Sequence, residues 1–463
     1  MKFQSFFQKL RIILFALCLV GGCVLGFIIP LRPTESASEQ RTLTSFPTFS
    51  FESFWNGDYT SGVNLWYSDT FPFREELIGL NNTLRGMYGL KGTTAGSVVG
   101  GDSINTDDTF VWETDPVEPD TESDAGTEPG TESSEEPGHE VIKGYLVDGI
   151  NGYELYSFHR DNSNRYAKLV VQTALDLQGK AQVYCIVVPM SYAYGVSPEV
   201  QVELGASDCH EAIRYMYSAM AGYGASAGLT TPVVTLDVFD HLADHYDEYI
   251  YFRTDHHWTA KGAYYTSRVF LDAVGRTYPD LDAYTVQEIT GFTGSLAGHT
   301  MQENPSLVRN PDTIYAYVSP TLNTVTITTQ AGEVKEIPIV HPEPRSLYSQ
   351  WSLYKCFIDG DHPLTVAHNE AVGDGSAILL IKESYGNAFL PALVDSYEYV
   401  VAVDYRYLRN KAISDLVDEY GVDTVLFLNN PVATSADYNL YWLEKLVKTK
   451  PAAKPSEPAQ TTP

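Results

Sequence analysis

From residue 141 onward the sequence predicts an α/β domain built on a parallel sheet covered on both faces. Three observations predict it. Residues 183–188 are a continuous apolar run ending at Pro189, the pattern of a strand buried on both sides. Tyr166, Leu169, Val170, Ala174 and Leu177 precede it at helical spacing, with Gly179 placed as a stop. The same alternation returns near the C-terminus: 377–381, 399–404 and 424–428 read as strands, and Ile413, Leu416, Val417 and Tyr420 as a helix stopped by Gly421.

The elements between follow in order. Asp208 with Glu211 resembles a capping pair, and Ile213, Met216, Tyr217 and Met220 continue a helical stripe. Residues 233–238 are the next strand, and a helix runs through Thr266, Val269, Phe270 and Ala273. Residues from about 291 to 372 break the rhythm. There 324–328 alternates, Gln330-Ala331-Gly332 can turn and 334–340 returns, so a β-hairpin insertion is expected. After the strand at 377–381, residues 387–394 read as a short helix. The domain is expected to span 141–445, and the proline-bearing tail, 446–463, to be disordered.

The flanks differ in kind. Lys2, Lys9 and Arg11 precede an uncharged apolar run at 12–29, closed by Pro30. That run is long enough to span a bilayer, and the preceding charge sets the N-terminus in the cytoplasm and the rest outside. Residues 1–30 are therefore expected to be an uncleaved single-pass anchor at the cell membrane, with a cleaved signal peptide as the alternative. Residues 31–100 hold Phe51, Phe54, Trp55, Tyr59, Trp66, Tyr67, Phe71 and Phe73, enough apolar surface to pack on the main domain. Residues 101–140 read as an acidic disordered linker: fourteen Asp or Glu lie between Asp102 and Glu140, with no Lys or Arg.

The formal net charge of −29 excludes nucleic acid as a partner and disfavours electrostatic docking on anionic lipid. Beyond the anchor, Cys185, Cys209 and Cys356 show no CxxC or Cys/His clustering, so no zinc site is expected. The sequence asks for no cofactor.

Chemistry-bearing residues gather at two places. In open parallel sheets reactive groups sit beyond the carboxyl ends of strands. Ser384 is there, after the strand at 377–381 and before Gly386 and a helix start. A serine nucleophile needs a base and a partner that orients the base. Asp255 and His257, two residues apart just ahead of a helix that Thr259 can cap, could supply both. Each has a plainer reading: Ser384 as a helix cap, Asp255 as a cap, His257 as a half-buried ring. His256 and Trp258 read as structural and packing residues, with Trp258 alternatively a pocket wall. Tyr385 and Asn429 are candidates for holding an oxyanion or substrate, Asn429 alternatively a turn residue. Arg406 could hold an anionic or polyhydroxylated substrate, or simply form an ion pair.

At these residues a resemblance emerges. Thr254-Asp255-His256-His257-Trp258-Thr259 with Gly262-Ala263 resembles the signature of the bacterial DHHW family, which is SGNH-hydrolase-like and similar to the alginate O-acetylation proteins. Ile381-Lys382-Glu383-Ser384-Tyr385-Gly386-Asn387 resembles its serine motif. The segments at 355–364 and 404–407 and the Phe71-Pro72-Phe73-Arg74 stretch are similar too. The resemblance implies a flavodoxin-like (SGNH-type) three-layer α/β/α fold, with Ser384 as nucleophile, His257 as base and Asp255 as its partner. Glu383 stands where the family more usually has Asp, and Asp361 where it often has Asn.

The expected function is a membrane-anchored, extracytoplasmic, serine-dependent carbohydrate O-acyltransferase or esterase acting in cell-surface polysaccharide acetylation. Its partners would be a surface polysaccharide or acyl donor and a membrane-bound O-acyltransferase. Two rivals stand beside it. One is a non-catalytic protein of the same fold that binds glycan or a partner. The other is a metal-dependent phosphoesterase using the Asp-His-His cluster, which lacks a companion carboxylate motif.

Overall fold

The computed structural model describes residues 32, 35–36, 41–42, 45–55, 58–72, 101–105, 108–112, 139–142, 144–321, 324–409 and 411–451. The apolar run at 12–29, most of the acidic linker and the tail from 452 lie outside the described residues. Among those described, no helix is long and apolar enough to cross a membrane. The chain divides into two compact units, Met1–Ala95 and Gly96–Pro463.

In the first unit, the segment before helices Phe51–Trp55 and Asp58–Asp69 packs its aromatic rings on both, Phe49 reaching Phe54 of one and Tyr59 of the other. Phe46 meets Trp66 edge-on at 4.7 Å and Phe49 meets Tyr59 at 5.1 Å between ring centres.

The second unit carries the α/β domain. Its strands are β1 (His139–Ile142), β2 (Tyr145–Asp148), β3 (Asn151–Glu154), β4 (Gln182–Val187), β5 (Val234–Thr235), β6 (Thr285–Phe292) and β7 (Asp312–Val318). Then follow β8 (Thr324–Thr328), β9 (Val334–Ile337), β10 (Leu364–His368), β11 (Ala377–Lys382), β12 (Tyr399–Asp404) and β13 (Thr424–Asn429). The helices that matter for the site are α1 (Arg160–Asp176), α2 (Cys209–Ser226), α3 (Ala260–Ala273), α4 (Ser295–Thr300), α5 (Tyr385–Phe389), α6 (Ile413–Tyr420) and α7 (Asp437–Lys448).

Eight strands form one sheet in the order β9-β8-β10-β12-β11-β13-β4-β5. The sheet is mixed, not wholly parallel as the sequence suggested. β12, β11, β13, β4 and β5 are parallel, whereas β10, β8 and β9 add to the edge antiparallel. The expected hairpin is β8–β9, and it does not stand apart. Val325 and Ile327 are buried on the same face as Ala367 of β10, so its apolar alternation extends the sheet.

Alternation along the strands separates two cores. Leu379 and Ile381 of β11 face one built with α1, α2, α6 and α7. Ile378 and Leu380 face another built with α3 and α5. Both faces are thus covered, as a sheet with a fully buried central strand requires.

The order of the parallel strands locates the site. Taking β11 as first, with β12, β13, β4 and β5 after it, the spatial order is 2-1-3-4-5, the order of one doubly wound sheet. The chain enters at the fourth strand, so the order is cyclically permuted. The reversal of winding falls between β11 and β13, and Ser384 follows directly from the end of β11. That is the crevice where such sheets bind ligands.

Local differences from the sequence reading have simple causes. The strand at 233–238 shrinks to β5 at the sheet edge. The helix at 387–394 starts at Tyr385 and tightens into a 3₁₀ turn, Leu390–Ala392. Residues 101–105 and 108–112, within the expected linker, lie against the domain. Ile104, Phe110 and Trp112 give this acidic stretch enough apolar surface to dock. Phe110 packs edge-on against Tyr215 and Tyr223, and Asp102 accepts the Arg160 N–H at 2.8 Å.

Candidate active site

The loop between Ile250 and Thr259 folds back on itself. Phe252 N–H donates to His257 O at 3.2 Å, and Thr259 N–H donates to Ile250 O at 2.9 Å. Thr259 then caps α3, accepting from Gly262 N–H. A buried carboxylate, Asp312, gathers the outer half of the loop. Its Oδ2 accepts from Arg253 N–H (3.0 Å), Thr254 N–H (2.7 Å) and the Thr254 hydroxyl (2.7 Å). Its Oδ1 accepts from Arg253 Nε (3.0 Å) and the Tyr249 hydroxyl (2.7 Å).

This loop delivers Asp255 and His257 to Ser384. The Asp255 Oδ1 lies 2.5 Å from His257 Nδ1 and accepts the His257 backbone N–H at 3.0 Å. The Asp255 Oδ2 accepts the Ser295 N–H, at the start of α4, at 2.8 Å. His257 Nε2 lies 2.7 Å from Ser384 Oγ, so residues 127 apart in sequence meet at hydrogen-bond distance. Asp255 and His257 are almost fully buried and Ser384 is half-buried. Burial alone would raise the Asp255 pKa. The charges of His257 and His256 and the bonds from His257 and Ser295 outweigh it and hold the carboxyl well below the usual range. Asp255 is therefore an anion that fixes the His257 tautomer.

Several supporting residues carry no signal in the sequence. Tyr354 stacks flat on the His257 ring, 4.0 Å between centres and 10° between planes, and its hydroxyl donates to Ser384 O at 3.2 Å. Gly294 must be glycine, because a β-carbon there would overlap the Asp255 carboxylate. Glu154, at the end of β3, is held above the ordinary carboxylate range by burial and by Asp255 and Glu383, against the opposing charge of His256. Glu383 is likewise pushed up by burial, with Arg406 opposing.

The other sequence candidates are distributed as follows. Trp258 is fully buried, stacks on Phe389 and donates to Tyr385 O at 3.0 Å, so it packs the interior. The Tyr385 hydroxyl donates to His256 O, and its backbone N–H donates to Glu383 Oε2 at 3.0 Å. His256 Nδ1 lies 2.5 Å from Ser295 Oγ. Asn429 is turned into the interior. Its amide nitrogen donates to the Tyr405 hydroxyl at 2.9 Å and its oxygen accepts from Tyr166 at 3.0 Å, which removes it as the oxyanion donor suggested by its place at a strand end. Arg406 makes a two-pronged ion pair with Asp404 (2.9 and 2.7 Å) and a further pair with Asp361 at 3.0 Å. With buried Lys382 beside Asp361 and Asp404, it forms a neutralised cluster beneath the strand ends.

One ligand atom each from Asp255, His256 and His257 comes within 4.8 Å of the others, a spacing a divalent ion could use. Those donors are already engaged. Both oxygens of Asp255 and both nitrogens of His257 have partners, so an ion would have to break the Asp255–His257 or His257–Ser384 contact. Cys185 and Cys209 are buried thiols whose pKa burial pushes up to about 12, unsuited to nucleophilic work.

Comparison with known proteins agrees with this architecture. No curated protein matches the chain. A DHHW family protein from Eubacterium siraeum has a similar structure, with 26% identity and a TM-score of 0.58 over 66% of this chain and 96% of that one. Bacillus cereus PatB1 with a sulfonyl adduct has the same fold, with 16% identity and a TM-score of 0.51 over 64% of this chain and 96% of that one. The O-acetyltransferase domain of Pseudomonas putida AlgJ matches at 14% identity and a TM-score of 0.34, over 68% of this chain and all of that one. The sequence profile of the DHHW protein family matches residues 39–119 and 104–403. Most of the chain lies within that match, and the chain belongs to the DHHW family.

Proposed function

We propose that this protein is a serine-dependent O-acyltransferase or esterase of SGNH type that acts on carbohydrate. The observation that carries the proposal is the continuous contact Asp255–His257–Ser384, at 2.5 and 2.7 Å, at the winding reversal of the sheet. In the acylation step Ser384 Oγ bonds to the acyl carbon as its proton passes to His257 Nε2, and Asp255 stabilises the imidazolium. The carbonyl electron pair moves to oxygen, where the Ser384 backbone N–H can meet it. When the pair returns, the leaving group departs with the proton from His257. A sugar hydroxyl or water then gives its proton to His257 and bonds to the acyl carbon, and Ser384 Oγ leaves with that proton from His257.

The cell-surface setting rests on the sequence: Lys2, Lys9 and Arg11 before the apolar run support a single-pass anchor with the domain outside the cell. The sulfonyl adduct named for Bacillus cereus PatB1 is in keeping with a nucleophilic residue in this fold.

The test is hydrolysis of a chromogenic acetyl ester, and acetyl transfer to oligosaccharides read by mass, with Ser384→Ala as control. Serine-dependent turnover is expected, with a loss on the order of 10³-fold or more in the control. Turnover unchanged in Ser384→Ala would refute the nucleophile. Glycan binding that survives the substitution, with no turnover in either protein, would favour a non-catalytic role.

A further inference from the structure

Glu383 has no role in the scheme above, yet it touches the reacting oxygen. It is 3% exposed, and its Oε2 lies 3.0 Å from Ser384 Oγ while accepting the Tyr385 N–H at 3.0 Å. Its Oε1 has no hydrogen-bond partner among the described residues. Arg406, the charge that most opposes the upward push on Glu383, is bonded to Asp404 and Asp361. His256, Glu154, Tyr354, Tyr385 and Tyr405 also bear on Glu383, and none of them is bonded to Oε1.

Counting protons decides what the contact means. His257 Nδ1–H donates to the Asp255 carboxylate, so in the neutral ring Nε2 is an acceptor and the single Ser384 hydroxyl proton points to it. A carboxylate 3.0 Å from the same Oγ would then face it lone pair to lone pair. The contact is satisfied when the carboxyl carries the proton. The alternative, a carboxylate with a doubly protonated His257, holds the same number of protons but removes the base.

We infer that Glu383 works as a neutral acid whose O–H donates a hydrogen bond to Ser384 Oγ and turns that bond to the acyl oxyanion as it forms. The inference rests on the serine reading above. Tyr385 N–H donates to Glu383 itself and the Asn429 amide donates to Tyr405, so of these three groups the Ser384 backbone N–H is left for the oxyanion, with Glu383 as its second donor. Oγ bonds to carbon and its proton goes to His257, while Glu383 donates a hydrogen bond and keeps its own proton throughout. Full burial favours this state, as for other neutral acids that hold oxyanions. Because the protonated form is the active one, Glu383 sets the alkaline limb: its contribution is present below the Glu383 pKa and is lost as pH rises through it.

The experiment uses the full-length chain and its E383Q, E383A and S384A variants. Acetyl-ester hydrolysis and covalent labelling by phenylmethylsulfonyl fluoride are followed from acid to alkaline pH. E383Q, whose amide N–H replaces the acid O–H, should lower the plateau rate about tenfold and lose the alkaline limb, and E383A should cost about 10²–10³-fold in kcat with KM little changed. Infrared spectra of the wild type at neutral pH should show a protonated-carboxyl band that E383Q lacks. An alkaline limb that persists in E383Q, an E383A rate equal to wild type, or absence of that band would overturn the inference while leaving Ser384 as nucleophile. Hydrolysis and labelling both absent from the wild type, or both present in S384A, would refute the serine reading and the inference with it.

Discussion

Asp255→Asn separates the geometry of the proposed triad from its protonation. The carboxylate satisfies three donors: the His257 backbone N–H and Nδ1–H on Oδ1, and the Ser295 N–H on Oδ2. An asparagine offers one oxygen. Turned toward His257, it keeps the ring's tautomer but sets its NH₂ against the Ser295 N–H, leaving a buried donor unpaired at a cost of about 1–3 kcal/mol. Turned toward Ser295, it opposes the His257 backbone N–H and makes Nδ1 an acceptor. The ring proton then sits on Nε2, facing Ser384, where it cannot receive the hydroxyl proton. In neither orientation does an anion remain to stabilise the imidazolium. The equivalent change in a serine protease lowers kcat about 10⁴-fold, which is about 5 kcal/mol of transition-state stabilisation. We expect kcat for acetyl-ester hydrolysis to fall about 10³–10⁴-fold with KM little changed, and denaturant unfolding to show about 1–3 kcal/mol of lost stability. A rate within tenfold of wild type, with the stability loss present, would make Asp255 a loop cap and refute its orienting role.

Two further substitutions test how the loop is held. Gly294→Ala places a methyl group inside the Asp255 carboxylate. The expected outcome is about 1–3 kcal/mol of destabilisation and, with the pair displaced by an ångström or so, about a 10²-fold slower rate. A variant as active as wild type would show that Asp255 can move without consequence. Asp312→Ala orphans the buried Thr254 N–H and frees Arg253, and should cost on the order of 3–5 kcal/mol in urea unfolding. A loss under about 1 kcal/mol would mean that the loop holds its shape without this carboxylate.

The sequence made much of the candidate constellation legible because its residues lie in two short stretches. Asp255 and His257 are two residues apart in a loop that Thr259 closes, and Ser384 follows the apolar run 377–381 at the carboxyl end of its strand. Asn429 failed because a strand end says where a residue sits but not which way its amide turns, and two distant tyrosines, Tyr166 and Tyr405, turn it inward. Arg406 carried two readings until Asp361, 45 residues upstream, came beside Asp404. The antiparallel edge was invisible for a similar reason. A hairpin pattern specifies two strands and their turn, but pairing of β8 with β10 is decided by which apolar face finds a neighbour.

The stretch from about 291 to 372 offered the sequence reading a hairpin and a family-like segment at 355–364, yet it holds much of the site in place. Gly294 and Ser295 receive the Asp255 carboxylate, Asp312 ties down Arg253 and Thr254, Tyr354 lies flat on His257, and Asp361 neutralises Arg406. The permuted strand order explains why such support is needed. β11 carries Ser384 at the centre of the sheet, so burial of both its faces fixes the serine. The Asp255–His257 loop follows β5, a two-residue strand at the far edge, and the sheet alone cannot hold it at hydrogen-bond distance from β11. The intervening segment closes that gap from outside the sheet. Its residues act through single glycines, caps and buried carboxylates, none of which has a periodicity to read. Substitutions at Gly294 and Asp312 should therefore lower activity through the loop while leaving the strands of the central sheet intact, and hydrogen exchange can separate the two. Exchange should rise at Thr254 and Ser295 and stay slow along 378–381. Uniformly faster exchange in both regions would place these residues in the global fold and not in the positioning of the site.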